Sequence, residues 1–344
     1  MTLEKPARAR PGDRPAPPPG LDIQPPRIEK LLDVLRWLHL SVLVPMVPPG
    51  RPSAVRRMGS LLTPLYRRSF GVRHSPILRD EFRRCFGQDL AEDKLDEMVR
   101  GTWGMQVRIN LEEAVLPRLS REQLDRYCCV VGQENLDAAL ARGKGAVMAF
   151  LHFGQHWFLP VWCGHNGYTW NQVAAAGRPP EDKWQPTWFG RQVFDARDEW
   201  FQALPVRFLP LDTPHRVLVR GLQRNELVGI AVDGRIGTKF AQVRFLNRDA
   251  LFAPGAIKLA RIAGAPIVPC ATVVGADGRQ QVTFLPPLDP PRKGDVTSAV
   301  QQLVDQLEPL VVAHPDHYGS WLHHIRRHLG WDDHPQFLDL KDTT

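Results

Sequence analysis

The feature that most constrains this chain is a change of period at residue 146. Upstream, apolar residues recur every three or four positions, as in AEDKLDEMVRGTWGMQVRINLEEAV (91–115). That is the spacing of amphipathic helices. Downstream, short unbroken apolar runs alternate with helical stretches. AVMAFLHF, YTWNQVAAA, VRFLPL, LVGIAVD, APIVPCATVVG and QQVTFLPPL read as strands, and KFAQVRFL alternates like one. Between them, residues 185–204, PHRVLVRGLQR and PGAIKLARIAG read as helices, and two more helices close the chain. Strands alternating with helices imply an α/β layered domain with a mostly parallel or mixed sheet. The helical half before it packs on that sheet. SREQLDRYCCVV opens a helix with a capping box, Ser120 and Gln123. GQENLDAALARGKG holds another, starting near Gln133 and ending at Gly143 and Gly145.

The expected organisation has four parts. Residues 1–27 form a Pro/Arg-rich disordered tail, without the apolar centre of a signal peptide. Residues 28–60 form an amphipathic, membrane-interfacial helix. In LLDVLRWLHLSVLVPMVPPG (31–50) apolar residues hold helical spacing, while Asp33, Arg36, His39 and Pro45 stop it from crossing a bilayer. Residues 61–330 form the main domain, and 331–344 a C-terminal tail. With 344 residues, 43% of them hydrophobic, the chain can bury a sizeable core. The net charge of +7 favours anionic partners. The arginines match no nucleic-acid module, so no nucleic acid is expected. Five cysteines with no C-x-x-C spacing suggest a reducing compartment, with Cys128 and Cys129 as packing residues.

Chemistry in open α/β sheets collects past the carboxyl ends of strands. Two such ends carry polar residues here: AFLHFGQHW and GIAVDGRIG. They nominate His152 as a general base. Gly154, Gly234 and Gly237 permit close backbone approach. His152 and His156 stand four apart, but no third metal ligand is evident, and no metal is expected. No G-x-S-x-G elbow, P-loop or dinucleotide fingerprint sits at a strand-to-helix junction.

Four blocks in order resemble one family. They are LDAALARGKGAVMAFLHFG, AGRPPEDKWQPTWFGRQ, the run from Leu227 to Cys270, and HPDHYGSWLHHIRR. From about 75 to 328 the chain is similar to the bacterial late lipid A acyltransferases of the glycerolipid acyltransferase superfamily. That group also includes acyltransferases of mannosylated phosphatidylinositol. The resemblance implies a glycerolipid-acyltransferase-like sheet flanked by helices. It implies transfer of a fatty acyl chain from an acyl carrier protein or coenzyme A thioester to a lipid hydroxyl, at the cytoplasmic side of the inner membrane. No cofactor is implied beyond the donor thioester. His152 takes the place of the family's base. Arg178 and Arg191 match its phosphate-binding arginines, and Gly234, Arg235 and Gly237 the region shaping the acceptor pocket. Trp157, Trp162, Trp184 and Trp188 are candidates to line an acyl channel. One position departs: five residues after His152 the family has Glu or Asp, and this chain has Trp157. Either Gln155 or Asp233 completes His152, or the site is degenerate and the protein binds lipid or a partner enzyme, or the acceptor or donor differs and its own chemistry needs less help. A metal-dependent hydrolase is the third class.

Overall fold

The computed structural model describes residues 46–47, 49–174, 187–235, 239–290, 293–327 and 335–339, with 34, 37 and 38 ahead of them. The tail at 1–27 and most of the first part of the expected 28–60 helix, residues 28–45, lie outside the described residues. A helix α1 (Pro52–Tyr66) runs through a π-helical turn (Arg67–Gly71) into α2 (Val72–Phe86). Then come α3 (Glu92–Val115) and α4 (Arg121–Tyr127), the latter with its reciprocal Ser120–Gln123 cap.

The sheet follows. Its strands are β1 (Cys128–Val131), β2 (Ala146–Phe150), β3 (Trp170–Ala174), β4 (Arg207–Pro210), β5 (Leu227–Ala231), β8 (Ile267–Val274) and β9 (Gln280–Phe284). They lie in the order β1-β9-β8-β2-β5-β3-β4. All neighbours are parallel except β8 and β9. A separate antiparallel hairpin joins β6 (Ala241–Phe245) to β7 (Arg248–Phe252). Helices α5 (Gln133–Leu140), α6 (Phe158–His165), α7 (Trp188–Ala203), α8 (His215–Gln223), α9 (Gly255–Ala263), α10 (Val296–Ala313) and α11 (Pro315–Arg327) complete it.

The unbroken apolar run of β2 has a simple cause. Its side chains alternate, Val147 and Ala149 entering one core, Ala146, Met148 and Phe150 the other. A central strand covered on both faces has no polar side to show. Helix α3 serves both cores, Leu95 to Trp103 in the first and Val107 to Val115 in the second.

Two elements depart from what the sequence pattern predicts. The helix at 120–131 stops at Tyr127, and Cys128–Val131 forms a strand on the sheet edge paired with β9. Its four residues are too short to show a period of their own. Strand β7 has no signature in the sequence, because its turn carries no hairpin signal. Leu246 and Asn247 both take positive φ, 51° and 60°, the conformation that Asn-Gly or Asp-Gly usually announces.

The C-terminal segment also differs from a tail. Phe337 is fully buried, and Arg248 lies over its ring at 3.8 Å while pairing with Asp339 at 2.7 Å and Glu81 at 2.8 Å. Residues 335–339 are therefore a lid on the β6–β7 hairpin.

Candidate active site

Register places the two candidate groups side by side. Phe150 pairs with Ala231 across β2 and β5. His152 and Asp233 each stand two residues further on, past the same end of the sheet. Asp233 grips His152 twice: Oδ1 lies 2.7 Å from the ring Nδ1, and Oδ2 accepts the His152 backbone N–H at 2.9 Å. Tyr318 of α11 donates its hydroxyl to the same Oδ2 at 3.2 Å. A carboxylate accepts only, so Nδ1 carries the hydrogen and Nε2 keeps its lone pair. The Asp233 side chain is wholly buried, while that of His152 keeps 32% of its surface. One half of the pair is thus sealed and the other is open to a ligand.

Aromatic rings frame the imidazole. The Trp321 indole lies nearly parallel to it, centroids 3.9 Å apart. His156 meets it edge-on at 5.6 Å and stacks on Phe150. Burial first, then the nearby His152, push the His156 pKa down to about 3. His156 is therefore a neutral ring at ordinary pH. Residues 152–157 form a turn rather than a helix, so the four-residue spacing of the two histidines is not a helical ligand pair. Among the described residues no group of three His, Cys, Asp or Glu side chains is placed to hold a metal ion.

The other sequence candidates fall in several places. Gln155 is buried, and its amide donates to the Ile109 carbonyl at 3.0 Å. It ties the turn to α3 and makes no hydrogen bond to His152. Gly154 has a positive φ, and a Cβ there would sit 2.6 Å from the Thr272 carbonyl oxygen. Its freedom lets the turn press on β8, so its close approach is to protein backbone rather than substrate. Arg235 was expected to reach an acceptor. Instead it is buried, donating to the carbonyls of Leu251 and Pro335 and to Gln336. Two of these bonds go to the C-terminal lid, at Pro335 and Gln336. Gly234 is half-buried beside Asp233. Arg191 is exposed on the first turn of α7. Arg178, Trp184 and Gly237 lie outside the described residues.

Trp157 packs against Phe201 and Phe208, at 4.7 and 5.7 Å between ring centroids. With Glu113, Leu116, Pro117, Trp200 and Leu204 it borders a small apolar cavity. Trp162 is core, against Tyr168 and Phe284, and Trp188 is exposed beside Trp37. Sequence reasoning missed Tyr318 and Trp321 as neighbours of the dyad. Their spacing of three on a helix put them on one face, but nothing local said which strand end that face would meet.

An imidazole backed by a buried carboxylate, at the carboxyl ends of adjacent parallel strands, has a free ring nitrogen able to take a proton from a bound group. Residues 25–327 match the family of bacterial lipid A biosynthesis acyltransferases, and the chain belongs to that family. Among its relatives is a phosphatidylinositol mannoside acyltransferase of Mycolicibacterium smegmatis, 26% identical over 69% of this chain and 75% of that protein. A phosphatidylinositol mannoside acyltransferase of Mycobacterium tuberculosis is 29% identical over 56% of this chain and 58% of its own length.

Proposed function

We propose that this protein moves a fatty acyl chain from a thioester to a hydroxyl of a glycolipid, with His152 as general base and Asp233 as its orienting acid. The supporting observation is the grip of Asp233 on both the ring and the backbone of His152. Nε2 removes the proton as the acceptor oxygen attacks the thioester carbonyl carbon. The tetrahedral intermediate then expels the sulfur, which takes the proton back from Nε2, leaving an ester and a free thiol. The carboxylate keeps the tautomer and stabilises the transient imidazolium. On this reading the acid missing at Trp157 is supplied from the neighbouring strand, and Trp157 lends its ring to an apolar wall instead. The relatives suggest a mannosylated phosphatidylinositol as acceptor. Coenzyme A or acyl carrier protein is the proposed carrier of the donor.

The same reading places the enzyme on a membrane surface. No helix among the described residues is long and apolar enough to cross a bilayer. Residues 51–79 contain seven arginines and no acidic residue. On the outer face of α1 and its continuation, Leu61 is 78% exposed, Leu65 65% and Val72 72%, between the exposed Arg57 and Arg73. Exposed apolar side chains flanked by cations suit the interface of an anionic leaflet, each basic residue adding about 1 kcal/mol. This agrees with a peripheral protein on the cytoplasmic side of the inner membrane. A noncatalytic lipid-binding role would draw only on the Trp157 departure, and the Asp233 geometry favours catalysis over it.

The test uses purified protein with palmitoyl-CoA and phosphatidylinositol mannoside in mixed micelles, the product read by mass spectrometry. A singly acylated product that disappears in His152→Ala is expected. Equal product from wild type and variant would sink the assignment of the base.

A further inference from the structure

We infer that helix α11 is a preset clamp on the dyad, with Trp321 as a positioning residue for His152 and Tyr318 as one for Asp233. The inference rests on His152 as the base of the proposed reaction. Residues 318 and 321 lie three apart and share a helix face. One helix therefore touches both halves of the pair. Tyr318 donates to Asp233 Oδ2, and the Trp321 ring covers a face of the imidazole at 3.9 Å and an interplanar angle of 11°.

The helix is placed by contacts that do not involve the dyad. A Cβ on Gly319 would sit 2.1 Å from the Thr102 hydroxyl of α3, and one on Gly101 2.7 Å from the Asp316 carboxylate. The two helices thus cross at close contact because glycine stands at both points. At its start, His317 Nε2 accepts the Val274 backbone N–H at 3.0 Å, and the His317 carbonyl accepts from Gly154 at 2.9 Å. These bonds fasten α11 to β8 and to the turn that follows His152. The clamp is thereby built before any substrate arrives.

Its physical effect follows from what Asp233 leaves undone. The Nδ1 bond fixes one point of the ring and leaves its tilt free. Of His152, Asp233 Oδ2 holds the backbone N–H and not the ring. A flat indole against one face and the edge of His156 nearby restrict that tilt, so Nε2 keeps one direction. When Nε2 takes the proton, the new cation lies flat on an indole, the ring that binds cations best. Tyr318 in turn keeps the carboxylate from rotating. Among the described residues, the charged and titratable neighbours include Asp233 beside Nδ1, neutral His156 at the edge and Tyr318 behind the carboxylate, with Arg235 and Cys85 acting on Tyr318 from behind. His324 stacks on the far face of Trp321 at 4.9 Å, and there it is exposed to solvent. Trp321 stabilises a charge that exists only during reaction, so its contribution falls on kcat.

The experiment compares Trp321→Leu, Trp321→Phe and Tyr318→Phe with wild type, all full length and checked for folding by thermal melting. Turnover is followed with palmitoyl-CoA and phosphatidylinositol mannoside. In parallel, the downfield proton resonance of the His152 Nδ1–H is recorded without substrate, identified by its loss in His152→Ala. Trp321→Leu is expected to lower kcat about 3- to 30-fold with KM little changed, the span of cation–π contacts from exposed to desolvated. Trp321→Phe should recover most of that loss, since a ring still covers the imidazole. The Nδ1–H signal should broaden in Trp321→Leu and in Tyr318→Phe, and stay sharp in Trp321→Phe. The clamp is overturned if Trp321→Leu leaves both kcat and the resonance unchanged. It is equally overturned if Leu and Phe behave alike and alter only KM. Full turnover in His152→Ala would instead remove the base itself, which distinguishes that failure from failure of the clamp.

Discussion

Asp233 and Glu81 are both wholly buried carboxylates, yet the protein treats them in opposite ways. Glu81 faces Arg248 at 2.8 Å, and Arg248 is itself only 5% exposed, stacked on Phe337 and held by Asp339. Arg326 approaches the other oxygen of Glu81 at 3.2 Å. Every partner there is locked, and the cluster joins α2, β7, α11 and the C-terminal segment. Asp233 also has its partners in place, but one of them, His152, keeps an open nitrogen and a third of its surface. The contrast teaches how to separate architecture from chemistry when both use buried acids. A closed pair holds elements together, whereas a buried acid behind a half-open base is arranged to support a reaction.

The largest expected effect tests the open pair. Asp233→Asn keeps the shape of the acid but can hold the wrong imidazole tautomer. In serine proteases, loss of the acid that orients the catalytic histidine lowers kcat by about 10⁴. A loss of that order is expected here with the thermal midpoint shifted little, measured by turnover and by calorimetry. A variant within about tenfold of wild type, or some 1.4 kcal/mol in the barrier, would show that the acid is not needed. Asp233 would then belong with Glu81 as architecture.

The closed pair should respond the other way round. Arg248→Met removes the nearer of the two arginines that face buried Glu81 and leaves only Arg326. Breaking such a pair costs roughly 3–5 kcal/mol, read as a lowered denaturation midpoint, while turnover per folded molecule is retained. The pH dependence has a definite sign. Burial pushes the Glu81 carboxyl up, and Arg248 is the main opposing influence. Without the arginine the folded-state value rises further above the unfolded one. A raised carboxyl contributes stability below the unfolded value near 4.5, lost as pH climbs through the folded one. The gap between Arg248→Met and wild type should therefore narrow from about pH 7 towards pH 5. A gap constant across that window would mean that Glu81 is not what the arginine compensates.

Sequence and structure part company at instructive places. The β2 and β5 runs were readable because central strands must be apolar on both faces. His152 and Asp233 were readable as strand-end residues for the same reason, each being the first strongly polar group past such a run. Their partnership was not fixed by sequence, since it depends on which strands are neighbours and in what register. Gln155, only three residues from His152, is carried away by the turn to bond α3. Arg235 looked like a free cation because its acceptors are mainly backbone carbonyls, which leave no trace in a side-chain pattern. The β6–β7 hairpin hid behind a Leu-Asn turn. Tyr318 and Trp321 lie some 85 and 169 positions from the groups they touch, and the close crossing of α3 and α11 with the His317 bonds to Val274 and Gly154 brings them there.

His156 gives the smallest effect and the finest comparison, because it is a titratable group beside the open site whose burial outweighs the pull of Asp233. Its folded-state pKa is depressed to about 3 by burial and by His152, whereas an unfolded chain holds it near 6.5. The sign follows directly. Above about pH 6.5 neither state is protonated and the depression contributes nothing unfavourable. Below it the unfolded chain gains a proton that the folded one refuses, so stability falls as pH drops from about 6.5 towards the folded value. At pH 5 this amounts to about 1–2 kcal/mol, from roughly 1.36 kcal/mol for each unit of pH. His156→Phe preserves the stack on Phe150 and removes the titration. It should flatten the loss of stability between about pH 7 and pH 5, measured by urea midpoints at matched ionic strength. An unchanged slope would mean that His156 takes a proton in the folded protein, placing a cation at the edge of His152 and undoing its role as a neutral edge.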